Sequence, residues 1–245
     1  MLIYELLELK EKDIVSIVGA GGKTTLMFLL ANELKNNKIL VTTTTKIHKP
    51  REEEIKYLGL RHKGYEYLKA STENGIYVYG NYVNLEDKLI GLDLEELDYL
   101  KDSFKYILIE ADGSKKKVLK AWNDKEPVIY KGSTKTIGVL SLKAFEMKIN
   151  NENIHRLKEF LELTKGKINE KVSLDILINI IFRDKGLFKN SMGERILFIN
   201  AADVVKEDII YLLIDKIVQK NNEVGLLSKI VYGSLKDKYF NYIKL

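Results

Sequence analysis

Residues 14 to 25 are the ones whose types and spacing point most directly to chemistry. An apolar, β-branched run leads into a glycine-rich turn with a lysine and two threonines, Gly19-Ala20-Gly21-Gly22-Lys23-Thr24-Thr25. Glycines let backbone N–H groups turn inward around an anion, and a helix that begins near Lys23 points its positive end at the same place. Lys23 can neutralise β- and γ-phosphate oxygens, Thr24 can bind Mg²⁺, and Thr25 can support the α-phosphate side. The turn therefore predicts a phosphate-binding loop.

This loop departs from the standard phosphate-loop pattern G-x-x-x-x-G-K-[ST]. The first glycine of that pattern would fall on Ile17, inside the apolar run. The flanking elements nevertheless fit, because residues 14–18 predict a buried strand and apolar residues recur at helical spacing from Leu26 to Leu34. We interpret the segment as a shorter loop of the same kind. The alternative is a glycine-rich turn beside a solvated lysine.

Two carboxylates follow a second buried strand, predicted at residues 106–109. Glu110 ends the apolar run and Asp112 lies two residues later. A phosphate-loop protein needs an acid at the end of a neighbouring strand, where it holds the Mg²⁺ shell or positions a water. We predict that Glu110 and Asp112, together with Lys23, are the catalytic residues. The alternative is an acidic cap with a simple Asp112-Gly113 turn.

Four consecutive threonines, Thr42 to Thr45, follow the strand predicted at 38–41 and should emerge at the same sheet edge. A hydroxyl from this run can bind Mg²⁺ or contact the γ-phosphate. We assign the metal site to Thr24, Thr43 and Glu110, although the sequence does not distinguish Thr43 from its neighbours in this role.

Cationic side chains after the acidic pair are candidates for binding an anionic substrate. A basic loop runs from Gly113 to Trp122, and His155-Arg156 lies further along. We name Lys115, Lys120, His155 and Arg156 as the candidate substrate residues; the alternative is a solvated basic turn and a structural histidine.

An Asn200-Ala201-Ala202-Asp203 segment follows the strand predicted at 195–199. GTPases read guanine with N-K-x-D at such a place, but Ala201 replaces the lysine. We favour a helix cap, with Asp203 as N-cap of the next helix. The choice between ATP and GTP stays open.

Strands and helices alternate along the 245 residues, of which 45% are hydrophobic. This pattern predicts one α/β domain over 1–245, a P-loop NTPase-like three-layer fold with a mainly parallel sheet. Residues 146–195 are predicted as a mainly helical insertion. A strand at 75–80 is placed in a hairpin or at an edge. The remaining predicted elements are helices at 23–36, 51–70, 94–102, 151–163, 173–182 and 206–220, and strands at 136–140 and 229–232.

Composition limits the class of protein. With no cysteine, disulfides, thiolate metal sites and cysteine catalysis are excluded. The first twelve residues lack a signal-peptide layout, and the most apolar stretch, Leu174 to Phe182, is too short to span a bilayer. We expect a soluble cytoplasmic protein with no membrane partner. The net charge of +5 is spread along the chain, which disfavours nucleic-acid binding.

Taken together, the motifs resemble the YqeC family over about residues 13 to 235. The segments that carry the resemblance are Gly19 to Thr25, the threonine run with Lys46, Glu110-Ala111-Asp112-Gly113-Ser114, Leu119-Lys120-Ala121, Glu126-Pro127-Val128-Ile129, His155-Arg156, Gly186-Leu187-Phe188-Lys189, and Asn200 with Asp203. Val118, Trp122 and Tyr130 depart from the family pattern, since prolines are usual there.

The resemblance implies a protein that binds ATP or GTP with Mg²⁺ and assists maturation of selenium-dependent molybdenum hydroxylases. Its partners would be a molybdenum hydroxylase or other cofactor-maturation proteins. The chain is expected to be a Mg²⁺-dependent NTPase. Two alternatives stay open: a non-catalytic nucleotide switch or chaperone, and an ATP-dependent ligase with a Mur-type loop.

Overall fold

The computed structural model describes the whole chain, residues 1–245, except for the side chain of Glu52. The strands are β1 (Ile14–Gly19), β2 (Lys38–Thr43), β3 (Lys46–His48), β4 (Tyr57–Leu60), β5 (Gly75–Gly80), β6 (Lys88–Ile90), β7 (Tyr106–Glu110), β8 (Leu119–Lys120), β9 (Lys135–Ser141), β10 (Ile154–His155), β11 (Glu194–Asn200), β12 (Lys229–Ser234) and β13 (Tyr239–Lys244). The helices are α1 (Ile3–Leu6), α2 (Lys23–Glu33), α3 (Glu66–Ala70), α4 (Leu94–Leu100), α5 (Leu157–Thr164), α6 (Leu174–Phe182) and α7 (Glu207–Val224).

Nine of the described strands form one sheet in the order β13-β12-β11-β9-β1-β7-β2-β5-β4. The neighbours pair in parallel except β12 and β13, which are antiparallel. β7 lies between β1 and β2, and its Glu110 is in register with Ile17 on one side and Thr43 on the other. The topology therefore brings the ends of these three strands to one edge.

Apolar side chains cover both faces of the sheet. Along β11, Ile196 and Phe198 pack with Leu26 of α2, whereas Leu197 and Ile199 pack in a different cluster. That second cluster also contains buried residues of α5, α6 and α7. Because successive side chains of a strand point to opposite faces, helices lie on both sides of the sheet. The predicted α/β class and mainly parallel sheet are confirmed.

The segment between β9 and β11, residues 142–193, covers all but the last two residues of the predicted insertion 146–195 and holds β10, α5 and α6. β10 pairs in parallel with β8 in a small separate sheet. Phe160 of α5 and Ile180 of α6 are fully buried in the same hydrophobic cluster as Leu197 of β11. This segment is therefore packed onto the face of the main sheet.

Two sequence predictions are wrong on the β4–β5 side of the sheet. The helix predicted over 51–70 is instead the strand β4 between two short 3₁₀ turns, followed by the short helix α3. β4 forms because Tyr57 to Leu60 pairs with β5. β5 is itself interior rather than in a hairpin or at an edge, since it lies between β2 and β4. Its buried Tyr77, Val78 and Tyr79 explain that position.

Two helix starts also differ from the prediction. α5 begins at Leu157 rather than 151, because Ile154 and His155 are paired with β8. Asp203 is not the N-cap of α7: it lies in a 3₁₀ turn, and the cap is Lys206. In the part of the chain that the structure describes, no helix is both long and apolar enough to cross a membrane.

Candidate functional site

The loop between β1 and α2 has a backbone that only glycine accommodates. Gly19, Gly21 and Gly22 have φ values of 102°, 78° and 144°. A Cβ atom added at Gly19 would lie 2.2 Å from the carbonyl oxygen of Val139, and one at Gly21 would lie 2.3 Å from Cβ of Ser141. α2 begins directly at Lys23, and the first N–H groups of a helix have no intrahelical partner. The loop thus presents free donors at a helix N-terminus, as an oxyanion requires.

The ammonium group of Lys23 is folded back into this loop. Its Nζ donates a 2.8 Å hydrogen bond to the carbonyl of Gly19 and lies 3.2 Å from Asp112 and 3.6 Å from Glu110. The side chain is almost fully buried. Burial alone would lower the pKa of Lys23, but the neighbouring carboxylates outweigh it and raise the pKa. Lys23 is therefore a fixed positive charge beside the glycine loop.

Thr24 and Glu110 form the oxygen-rich corner of the site. The Thr24 hydroxyl donates to the Glu110 carboxylate at 2.6 Å. Burial raises the pKa of Glu110, and Lys23 and Thr24 only partly offset this effect. No group of three or more histidine or acidic side chains among the described residues is arranged to hold a metal. Mg²⁺ in phosphate sites needs only one or two protein oxygens besides phosphate and water, so Thr24 and Glu110 fit it.

The threonine run divides between the core and the surface of the site. Thr43 is completely buried and donates to the backbone carbonyl of Glu110 at 2.7 Å. It does not line the cleft that the site opens into, whereas Thr44 and Thr45 do. The sequence-based choice of Thr43 as metal ligand is therefore corrected: its hydroxyl is used to tie β2 to β7. Of the two threonines at the cleft, Thr45 is the one whose hydroxyl contacts the hydroxyl of Thr43, at 3.3 Å.

Asp112 lies behind the loop rather than in the cleft. Its fully buried carboxylate accepts from the Gly19 N–H at 3.0 Å and from the Trp122 indole N–H at 2.6 Å. It also contacts Lys23 and, at 3.0 Å, Lys120. Burial would raise its pKa, but the two lysines lower the pKa below its usual value. This arrangement makes Asp112 a positioning residue, which corrects its prediction as a residue of the reacting centre.

Lys120 is likewise corrected as a substrate residue, because it is only 1% exposed. Its Nζ contacts Asp112, the carboxylate of Glu126 at 3.1 Å and the carbonyl of Gly113 at 2.6 Å. It also lies 5.4 Å from the ring centroid of Trp122. Lys120 thus neutralises the buried Asp112 carboxylate and the half-buried Glu126 carboxylate at the wall of the cleft.

The cleft in front of the loop has a volume of about 990 Å³. It is bounded by the glycine loop, the end of β2 with β3, the β6 region, Glu110, the basic loop Gly113 to Lys117 and the start of the α5 segment. Its charged lining is dominated by cations, namely Lys23, Lys46, Lys88, Lys115, Lys116, Lys117 and Arg156, against Glu86, Glu110 and Glu126. An anionic ligand is therefore the one that this lining favours.

Three of the four predicted substrate residues, Lys115, His155 and Arg156, do line this cleft. Arg156 donates through Nε to Glu126 at 3.1 Å, which leaves the rest of its guanidinium for other acceptors. Burial and the neighbouring charges of Lys120 and Arg156 lower the pKa of His155 to about 4. His155 is therefore neutral at physiological pH.

The structural roles of Asn200 and Trp122 at the site were not predicted from the sequence. The Asn200 amide donates to the Gly21 carbonyl at 2.7 Å and accepts from the Leu235 N–H at 3.1 Å. It therefore braces the glycine loop. Its position after a buried strand marked it as noteworthy, but nothing local to the sequence indicates a partner 179 residues away.

Comparisons with known proteins agree with these motifs. The family model described as YqeC protein matches residues 15–158. A relative from Escherichia coli (strain K12), named Uncharacterized protein YqeC, is 32% identical over 205 residues, which cover 81% of this chain and 80% of the relative. The chain belongs to the YqeC family. No solved structure matches it.

Trp122 also has a structural role in this chain. Its indole N–H donates to the Asp112 carboxylate at 2.6 Å. A proline, which the resemblance led us to expect at this position, has no N–H donor in its side chain. Trp122 therefore gives the buried carboxylate one donor that a proline could not supply.

Proposed function

We propose that the protein binds a nucleoside triphosphate with Mg²⁺ at the glycine loop and cleaves its γ-phosphate, on a P-loop NTPase-like fold. The observation that carries this proposal is the 2.6 Å hydrogen bond between Thr24 and Glu110. Thr24 directly follows Lys23 in the first turn of α2. A hydroxyl and a carboxylate in contact at a helix N-terminus are the two oxygen donors that a Mg²⁺-phosphate site uses.

Each side chain has a distinct task in this proposal. The loop backbone and the start of α2 supply N–H donors to phosphate oxygens, and Lys23 supplies the positive charge. Thr24 and Glu110 would hold the ion, which would supply neutralisation of phosphate charge. Asp112 keeps the loop closed through the Gly19 N–H and fixes the position of Lys23. Rate enhancement would come from positioning and charge stabilisation.

The cellular role that we propose is assistance to the maturation of selenium-dependent molybdenum hydroxylases, with such a hydroxylase as partner. Membership of the YqeC family supports this role, and the site geometry is neutral towards it. With no cysteine, the chain cannot hold selenium through a thiol of its own. A contribution through nucleotide-driven chemistry or docking is consistent with that composition.

A thermal-shift panel with ATP, GTP and CTP, each with and without Mg²⁺, tests the proposal. A ligand at about 100 times its Kd should stabilise the protein by roughly 2.7 kcal/mol. We expect a Mg²⁺-dependent shift that Lys23→Ala removes and that Lys35→Ala keeps; Lys35 is an exposed lysine just beyond the end of the same helix. Absence of a shift with all three nucleotides would contradict nucleotide binding.

Hydrolysis is measured in the same preparations as Mg²⁺-dependent phosphate release. Turnover by the isolated protein, lost in Lys23→Ala, supports the enzyme. Binding without turnover until a partner protein is added supports the nucleotide switch instead. The two outcomes separate the catalytic proposal from its non-catalytic alternative.

A further inference from the structure

The cleft extends well beyond the space that the glycine loop itself encloses. Thr24 and Glu110 mark the corner where a Mg²⁺-bound β,γ-phosphate pair would lie in the proposed function. The same cleft is also lined by the basic loop Gly113 to Lys117 and the His155-Arg156 pair, which we call the basic wall. A second reactant that reaches the proposed phosphate site through this cleft would therefore meet this wall.

The wall carries positive charge without matching carboxylates. Lys115 and Lys116 are exposed at the cleft, and no described acidic side chain forms an ion pair with either of them. Arg156 is paired with Glu126, but that carboxylate is shared with Lys120. The cations of this wall therefore outnumber its acids, and the surplus favours a ligand with more than one negative charge.

The backbone of the wall is also in an uncommon conformation. Lys115, Lys116 and Arg156 have φ values of 49°, 63° and 64°, in the left-handed region. Such residues cost about 1–2 kcal/mol each and persist only where the surroundings hold them. Here Lys117 anchors the loop by donating to the carbonyls of Asn151 and Ile154, next to β10. The side chains of Lys115, Lys116 and Arg156 thus line one cleft, and the backbone of all three residues is in a conformation that costs free energy.

We propose that Lys115, Lys116 and Arg156, with His155, form a second anion site that binds the phosphate group of a phosphate-bearing small-molecule substrate. The proposal deepens the proposed function and rests on it, since it places this molecule in the same cleft as the nucleotide phosphates. Arg156 offers a planar guanidinium suited to two phosphate oxygens, and the lysines add point charges. The neutral His155 imidazole adds one hydrogen bond without adding charge.

Phosphate binding in the presence of nucleotide tests this second site. The protein is saturated with Mg²⁺ and the β,γ-imido analogue of the triphosphate that binds best, so that the glycine loop is filled. Inorganic phosphate is then titrated by calorimetry at constant ionic strength, with acetate in a parallel titration. We expect saturable phosphate binding that weakens about tenfold or more in Lys115→Asn/Lys116→Asn, because two charge-assisted contacts are lost. Asparagine tolerates the left-handed region, so the loop shape is kept.

A matched control is Lys165→Asn/Lys238→Asn. Both of these lysines are exposed, have positive φ and lie outside the residues that line the cleft. This control also removes two lysine charges from residues with positive φ, but at positions outside the cleft. Thermal midpoints of both double variants close to that of the parent show that each is folded.

The outcomes separate the second site from the proposed function. Selective loss in the Lys115/Lys116 variant supports the second site. Equal loss in the control, no saturable phosphate binding by the parent, or equal binding of acetate overturns it. If the parent binds no nucleotide, the proposed function fails, but phosphate titration of the nucleotide-free protein still tests the second site. Phosphate binding that is lost only in the Lys115/Lys116 variant supports the second site, and phosphate binding that is unchanged in this variant overturns it.

Discussion

The hydroxyl of Thr24 donates a 2.6 Å hydrogen bond to the carboxylate of Glu110, although 86 residues separate them along the chain. The parallel pairing of β1 and β7 creates this contact, because it sets Ile17 in register with Glu110 and thereby aligns the two strand ends. A side-chain hydrogen bond therefore joins the first turn of α2 directly to the end of β7.

Glu110→Gln should preserve triphosphate binding and slow phosphate release by about a hundredfold or more, because the amide keeps the shape but not the charge that orients the metal and water. Binding is measured by calorimetry and turnover by phosphate release. Glu95→Gln, at an exposed position early in α4, should behave like the parent. Unchanged hydrolysis in Glu110→Gln would assign the metal or base role to another residue.

Asp112→Asn should lower the free energy of unfolding by about 3–5 kcal/mol, because Lys23 and Lys120 would lose a buried counter-charge. Urea denaturation of parent and variant measures the difference. The exposed Asp215→Asn, in α7, provides the control and should change stability by less than about 0.5 kcal/mol. A small effect at Asp112 would show that the buried cluster does not depend on this charge.

Asn200→Ala should weaken ATP and GTP binding to a similar extent. Its amide is occupied by the Gly21 carbonyl and the Leu235 N–H, so the variant loosens the loop and not a base contact. Dissociation constants for both nucleotides, measured side by side, check this. A loss confined to GTP would instead support guanine recognition by Asn200.

His155 should make the protein less stable as the pH falls from about 6.5 to about 4. Its pKa is lowered from 6.5 to about 4 in the fold, so the unfolded chain binds the proton more readily within this range. One such group contributes at most about 1.4 kcal/mol per pH unit, and the partial exposure of the ring reduces this value. Urea midpoints at pH 6.5, 5.5 and 4.5 should therefore fall less in His155→Gln than in the parent. The exposed His62→Gln should follow the parent, and an identical fall in all three proteins would contradict the prediction.

Local patterns were sufficient to predict the elements that form the centre of the fold. The apolar runs of β1, β7 and β9 and the start of α2 at Lys23 follow from hydrophobic periodicity and from the glycines that precede the helix. β4 and β10 could not be predicted in this way, because each exists through pairing with a distant partner strand. Residues 57 to 60 are extended because they pair with β5, and the local sequence pattern does not indicate this pairing.

The candidate site shows the same division. The types and order of Lys23, Thr24 and Glu110 are enough to predict an oxygen-rich phosphate site. The burial of Asp112 and Lys120 beneath it was not predictable, since a carboxylate and a lysine that follow a strand are ordinarily solvated. Only the packing of Trp122 and Glu126 around them shows that their charges are used inside the protein.

The place of β1 in the sheet also sets the order in which the site can form. Ile17 pairs with Glu110 on one side and Ile137 on the other, so both neighbours of the strand are made long after it. At about 5–20 residues per second, Lys23 is synthesised roughly 4 to 18 s before Asp112. During this interval Lys23 remains a hydrated cation, because the carboxylates that neutralise it do not yet exist. Asn200, which braces the glycine loop through Gly21, is made later still. Full affinity for a ligand at the glycine loop would therefore appear only after β11 has been made, and would report that this strand has joined the sheet.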